Sequence, residues 1–378
     1  MPYITIPAKE RQFQVSFEDL LRGITEDAFN NAFACKSNTR TIFKEQTPSN
    51  LKFDLRKKIF ILKDFCIRYN SLINTEDKES LYHSFKIPKR SGGWRQINAP
   101  NDALMRALRE LKFILEKEFY ASHHTSAFAY VKGRCTIDAV KKHQRNNSRW
   151  FLKLDFSDFF GSTTLEFVMR QLETIYPFNL IIENQDGKTY LEKALSLSFL
   201  NGGLPQGTPI SPTITNLMMI PIDHVISNTL RKWTPHLVYT RYADDILLSS
   251  DLSFEYEKVQ NEIVGILSYF DAPFKLNVKK TRYGSSAGRN WNLGVMLNKD
   301  NQITIGYKRK KVFKAMLYSL INDYKNGNTW DIEDAQSLNG LISYYTMVEK
   351  EAINKIIEDY NKKFDVNIVK ILKATIAK

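Results

Sequence analysis

Two adjacent acids, Asp244 and Asp245, stand between two apolar, strand-like runs: Leu237-Val238-Tyr239-Thr240-Arg241-Tyr242 before them and Ile246-Leu247-Leu248-Ser249 after them. That pattern predicts a hairpin with both carboxylates at its tip. A third acid, Asp155, follows the similar run Phe151-Leu152-Lys153-Leu154. Adjacent carboxylates repel each other and apolar flanks strip their water, so the charged pair is costly on its own. A bound divalent cation removes that cost, and two such cations would clamp the attacking and leaving oxygens of a phosphoryl transfer. Taken singly, Asp244-Asp245 also reads as an ordinary turn and Asp155 as a satisfied buried acid. The order of the surrounding elements is what discriminates.

At 378 residues the chain exceeds one average domain and can bury a large core. A hydrophobic fraction of 43% with 12% aromatics excludes a disordered chain. Lys+Arg 54 less Asp+Glu 41 leaves a net charge of +13, which favours a polyanionic partner, nucleic acid before an anionic membrane surface. A basic but otherwise ordinary soluble protein has the same balance. Cys35, Cys66 and Cys135 are too far apart for a disulfide framework or a zinc ligand set, which fits a reducing compartment. The opening Met1-Pro2-Tyr3-Ile4-Thr5-Ile6 has no basic segment leading into an apolar core, and no apolar stretch approaches the ~20 residues of a membrane span. The expectation is a soluble, cytoplasmic chain with no membrane partner.

Residues 1–80 read as a helical extension, with Leu55, Ile59, Leu62, Phe65 and Cys66 at helical spacing. Arg56-Lys57-Lys58 reads as a solvated face of it. Phe85–Lys89 and Trp94–Ile97 flank the turn Arg90-Ser91-Gly92-Gly93, a predicted hairpin. A helix capped by Asn101 or Asp102 should follow, carrying Leu104, Leu108, Leu111, Leu115 and Phe119 on one face. Downstream of Asp155 come a helix over about Leu165–Glu173, the glycine-rich Asn201–Gly207 segment and a helix over about Pro212–Leu230. From Lys308 two helical stripes appear, Val312, Phe313, Met316, Leu317, Leu320, Ile321 and Tyr324, then Ala352, Ile353, Ile356, Ile357, Tyr360 and Phe364. The class is an α+β body with a helical tail.

Seven segments in this order resemble the reverse transcriptases, and among them the bacterial group of retron, group II intron and phage-defence enzymes. They are Lys89–Ile97, Ala129–Arg134, Leu154–Phe160, Gly203–Pro212, Tyr242–Asp245, Leu276–Thr281 and Asn292–Gly294. The resemblance spans roughly residues 85–300 and implies a right-hand fold of fingers, palm and thumb. The palm would be an antiparallel sheet with helices on one face. The expected boundaries are a helical extension at 1–80, fingers and palm at 81–308, and a helical thumb at 309–378.

The resemblance also implies roles. Asp155, Asp244 and Asp245 would be catalytic, holding two magnesium ions with the Phe156 carbonyl completing one shell; an all-oxygen donor set suits magnesium. Lys89, Arg95, Phe160, Gln206 and Lys280 would bind the nucleotide. Phe160 would exclude a ribose 2′ hydroxyl, Gln206 would lie against the sugar, and Arg95 would clamp the triphosphate. Phe156 and Phe159 also read as core. Arg134 would lie near template or nucleotide. Lys308, Arg309, Lys310, Lys311 and Lys314 would grip a duplex backbone.

The implied function is RNA-directed DNA synthesis from deoxynucleoside triphosphates. The partners would be a non-coding RNA template, the DNA product or RNA/DNA duplex, and an accessory effector protein. Retron enzymes typically carry Val-Thr-Gly where this chain has Asn292–Asn298, and Asn-Ala-x-x-His where it has Asp138-Ala139-Val140-Lys141-Lys142-His143. These departures point to a stand-alone anti-phage defence enzyme, with a retron enzyme making RNA-linked single-stranded DNA as the alternative. Template-independent or protein-primed synthesis, RNA synthesis on RNA, and a non-catalytic RNA-binding scaffold complete the set of readings.

Overall fold

The computed structural model describes residues 48–89, 92–119, 123–233, 236–286, 291–292 and 294–377. Expectations for residues 1–47, the Arg90-Ser91 turn and Leu293 lie outside them. The described chain forms two compact units. One contains the described residues up to Arg134 together with Lys153–Leu248 and Glu255–Arg282, and the other contains Cys135–Leu152, Ser249–Phe254 and Tyr283 onward.

In the first unit a helix over Pro48–Arg68 buries Leu62, Phe65 and Cys66, as its spacing predicts. Strands β1 (Tyr82–Pro88) and β2 (Trp94–Pro100) form the expected hairpin, three residues longer on each strand at the end away from the turn. They pair antiparallel with Ile87 opposite Arg95. Gly92 and Gly93 close it at φ +86° and +80°, values that only glycine adopts freely. The Asp102–Phe113 helix is capped by Asn101, whose side chain accepts a hydrogen bond from the Leu104 amide. Its expected continuation to Phe119 passes instead through a wide turn over Ile114–Glu118.

The main sheet is built from β3 (Trp150–Ser157), β4 (Val238–Tyr242), β5 (Asp245–Ser250), β6 (Lys275–Leu276) and β7 (Arg282–Ser285), in the order β4-β5-β3-β6 with β7 also on β3. The Leu165–Leu172 helix starts where Thr164 accepts from the Phe167 amide. The single helix expected over Pro212–Leu230 is two, Ser211–Met218 and Ile220–Trp233. Almost every side chain from Ile210 to Ser227 is buried, so apolar periodicity could not reveal the break.

In the second unit β8 (Trp291–Asn292), β9 (Val295–Leu297) and β10 (Ile303–Thr304) form a small sheet. Three tail helices follow, Tyr307–Lys325, Ile332–Phe364 and Ile368–Ile376. They share a core in which Phe313, Leu317, Leu320 and Ile353 come from the two stripes read from the sequence, joined by Leu338 and Ile371 outside them. Val312 and Tyr324, at the margins of the first stripe, stay 60% and 55% exposed.

Candidate active site

Strand β3 delivers Asp155 into the interior at 6% exposure. Its far side pairs antiparallel with β6, Phe156 opposite Leu276, and the Asp155 carbonyl accepts from the Asn277 amide at 2.7 Å. Strands β4 and β5 are joined by Ala243 and Asp244, with Ala243 in the left-handed region at φ +57°. The Phe156 amide donates to the Asp244 carbonyl at 3.1 Å. One backbone bond therefore ties the residue after Asp155 to the turn that carries the acidic pair.

The charges at this place are coupled. Burial pushes the Asp244 carboxyl up, Asp245 and Asp155 push it further, and its own backbone amide and Lys280 pull it down. The Lys280 ammonium donates to Asp155 Oδ1 at 2.8 Å, and Lys153 Nζ lies 3.0 Å from Asp245 Oδ1. That bond to Asp155 raises the Lys280 pKa first, with the fields of Asp155, Asp244 and Asp245 adding to it. Lys280 thus contacts Asp155 and feels the fields of all three acids. It stands on a short turn, Val278–Lys280.

Among the described residues no three His, Cys, Asp or Glu side chains converge closely enough to hold a metal ion by themselves. Asp155 and Asp245 are each met by a lysine instead. The donors that stand here are carboxylate and carbonyl oxygens, the ligands a hard divalent ion takes. The mutual repulsion felt by Asp244 is relieved by added positive charge. The residues fit such an ion, with substrate and water oxygens supplying the rest of its shell.

The other residues expected to bind nucleotide lie on the segment after β3, the glycine-rich loop and the β1–β2 hairpin. Phe159 is 3% exposed and packs on Phe156 and Phe274, whereas Phe160 is half-buried and touches Phe159 edge-on. The Phe160 carbonyl accepts from the Leu204 amide at 3.0 Å, which brings it beside the glycine-rich loop. A Cβ on Gly203 would lie 2.0 Å from the Gly161 carbonyl oxygen, so only glycine permits this approach. Gln206 is anchored through its carbonyl, which accepts from the Asn98 amide of β2 at 2.8 Å. The loop thereby joins Phe160, Gln206 and the β1–β2 hairpin. Arg95 projects exposed from that hairpin, and exposed Lys89 closes its turn by donating its amide to the Gly93 carbonyl at 2.9 Å.

In the tail, Lys308, Lys311 and Lys314 are exposed and spaced by three along the Tyr307–Lys325 helix, which puts them on one broad flank. The other two expected contacts are engaged internally. Lys310 Nζ donates to Glu349 Oε1 at 2.7 Å, and Arg309 donates to the Gly294 carbonyl. Arg134 is likewise committed to the fold, its Nη1 donating to the carbonyls of His124 at 2.8 Å and Ala127 at 2.7 Å.

Two further residues near the acids carry no role in the sequence reading. Lys153 lies two positions before Asp155, and strand alternation puts both on one face. Tyr130 stands in the left-handed region, and its phenol is pushed up by desolvation and by the fields of Asp244 and Tyr242. It lies within the Ala129–Arg134 segment, where the resemblance assigns a role to Arg134 alone.

A family model described as reverse transcriptase (RNA-dependent DNA polymerase) matches residues 87–309, more than half of the chain. Retron Ec83 reverse transcriptase of Escherichia coli is 29% identical over 302 residues, covering 77% of this chain and 89% of that one. Retron Mx65 reverse transcriptase of Myxococcus xanthus is 28% identical over 302 residues, covering 77% and 66%. Retron Ec73 reverse transcriptase of Escherichia coli is 26% identical over 282 residues, covering 72% and 85%. These similarities extend across the part of the chain that carries Asp155, Asp244 and Asp245.

Proposed function

The chain belongs to the reverse transcriptase family and is an RNA-directed DNA polymerase, and from that premise we propose that it copies a dedicated non-coding RNA as a retron-type enzyme of an anti-phage defence system. The observation that supports the catalytic part is the bond from the Phe156 amide to the Asp244 carbonyl, which ties the Asp155 strand to the Asp244 turn, with Lys280 bonded to Asp155. The retron character is supported by the names of the three relatives. Their similarity weighs more than the two motif departures at Asn292–Asn298 and Asp138–His143.

In this reading Asp155 and Asp244, with the Phe156 carbonyl, would hold magnesium, and Asp245 would complete the acidic set through its pairing with Lys153. The ions would supply positive charge to the primer hydroxyl and to the departing pyrophosphate. Lys280 and Arg95 would take the triphosphate oxygens, Gln206 would lie under the sugar, and the Phe160 ring would fill the space of a 2′ hydroxyl. The β1–β2 hairpin would act as fingers and the tail helices as thumb, with Lys308, Lys311 and Lys314 facing phosphates. Work in the cytoplasm fits the free thiols of Cys66 and Cys135, and no described helix is long and apolar enough to cross a membrane. An accessory effector acting on the product would complete the defence role.

The test is to sequence the nucleic acid that co-purifies with the chain from its native host. One predominant RNA with covalently or base-paired complementary DNA is expected, and Asp244→Asn should keep the RNA and lose the DNA. Bound RNA without complementary DNA in the parent protein would contradict the proposal.

A further inference from the structure

Beneath the catalytic turn lies a buried ion pair that none of the roles above uses. Arg241, on β4, and Asp223, in the first turn of the Ile220–Trp233 helix, are both 0% exposed. Arg241 Nε donates to Asp223 Oδ1 at 2.9 Å and Nη2 donates to Oδ2 at 2.8 Å, a bidentate fork. Nη2 also reaches Asn216 Oδ1 at 3.3 Å, and Asn216 in turn donates to the Ala129 carbonyl at 2.9 Å. The Tyr239 hydroxyl donates to Asp223 Oδ1 at 2.6 Å. The remaining arm of the guanidinium, Nη1, donates to the Ala243 carbonyl at 3.1 Å.

That last bond lies next to the chemistry. The Ala243 carbonyl belongs to the peptide leading into Asp244, and the carbonyl on the other side of Asp244 accepts from the Phe156 amide at 3.1 Å. Asp244 is therefore held by both of its flanking carbonyls, one by β3 and one by the buried guanidinium. Ala243 stands at φ +57°, a region costly for alanine, and the turn keeps that shape only where neighbours hold it.

Stability alone is a poor account of such a pair. Buried ion pairs are often replaceable by apolar side chains of similar volume without loss of stability. A requirement for fixed geometry explains the expense better.

We infer that Arg241 is a positioning residue for catalysis: anchored on Asp223 and Asn216, it holds the Ala243–Asp244 peptide and so sets the aim of the Asp244 carboxylate. The inference rests on the polymerase reading of this site. Lysine at 241 would keep the charge but not the planar fork that reaches Asp223, Asn216 and Ala243 together.

The test compares the parent with Arg241→Lys and with the apolar replacement Arg241→Met/Asp223→Leu/Tyr239→Phe, which leaves no buried charge or hydroxyl unpaired and releases only the Asn216 side-chain oxygen and the Ala243 carbonyl. For each, thermal unfolding, primer extension and Mn2+ binding by electron paramagnetic resonance are measured. The apolar variant should melt within a few degrees of the parent. Its kcat should fall about 100-fold, the size expected of a misplacement near 1 Å, with KM for the deoxynucleotide within about threefold of the parent. Its dissociation constant for Mn2+ should rise about fivefold or more, as a misdirected ligand implies. A folded variant with parental kcat and Mn2+ affinity would overturn the inference. Should the apolar variant not fold, Arg241→Lys decides: a kcat lowered about tenfold at near-parental melting supports positioning, and an unchanged kcat refutes it. An inactive parent would count against the polymerase reading, while the Mn2+ comparison would still decide the positioning role.

Discussion

Phe160 and Phe159 are chemically identical neighbours with different fates. Phe159 is spent on the core against Phe156 and Phe274, while Phe160 keeps a solvent-facing side next to the Gln206 loop. Replacing Phe160 with alanine should raise ribonucleotide incorporation relative to deoxynucleotide by about tenfold or more, because the role proposed for its ring is steric exclusion of the 2′ hydroxyl. Competition between the two nucleotides in primer extension measures this, and an unchanged ratio would remove Phe160 from the sugar site. Asp155, Asp244, Gln206 and Arg95 were all readable as residues because a motif fixes their spacing. Lys153 and Arg241 were not. A lysine or arginine inside an apolar strand gives no sign of its partner, and Asp223 lies 18 positions from Arg241 in sequence.

At the scale of elements, the helix Thr136–Arg145 shows how a residue offered by a motif comparison can serve the interior. His143 is 0% exposed, with Nδ1 2.5 Å from Ser249 Oγ, which donates onward to Ser148 Oγ at 2.7 Å. Burial, with a smaller push from Lys142, drives its pKa down to about 3. The unfolded chain takes up that proton near the ordinary histidine value of about 6.5, and the folded chain does not until about 3. Between those values the unfolded state binds more protons, so this contribution to stability is complete above about 6.5 and is lost as pH falls. His143→Gln should flatten the decline of melting temperature between pH 6.5 and pH 4, read by circular dichroism against the parent. A slope as steep as the parent's would show that His143 is not the group responsible.

Elements with one apolar face, such as the Asp102–Phe113 and tail helices, were legible from periodicity. The split at Met219 between two buried helices was not, because residues buried on all sides have no pattern to break. The wide turn at Ile114–Glu118 was hidden for the opposite reason, since Leu115 and Phe119 remain buried through it.

For the whole molecule, the net charge of +13 and the acidic site have opposite tasks. The basic excess favours nucleic acid wherever it lies on the surface, whereas three carboxylates repel the phosphates that must reach them. A divalent ion reconciles the two, and the lysines on Asp155 and Asp245 mark how strongly this place attracts positive charge. Primer extension on an RNA template with deoxynucleoside triphosphates, run with chelator and again after magnesium is restored, tests that claim most directly. Synthesis should stop with chelator, return with magnesium, and fall at least about 100-fold in Asp155→Asn and Asp244→Asn proteins that melt like the parent. DNA synthesis that continues in chelator, or that survives both substitutions, would contradict it.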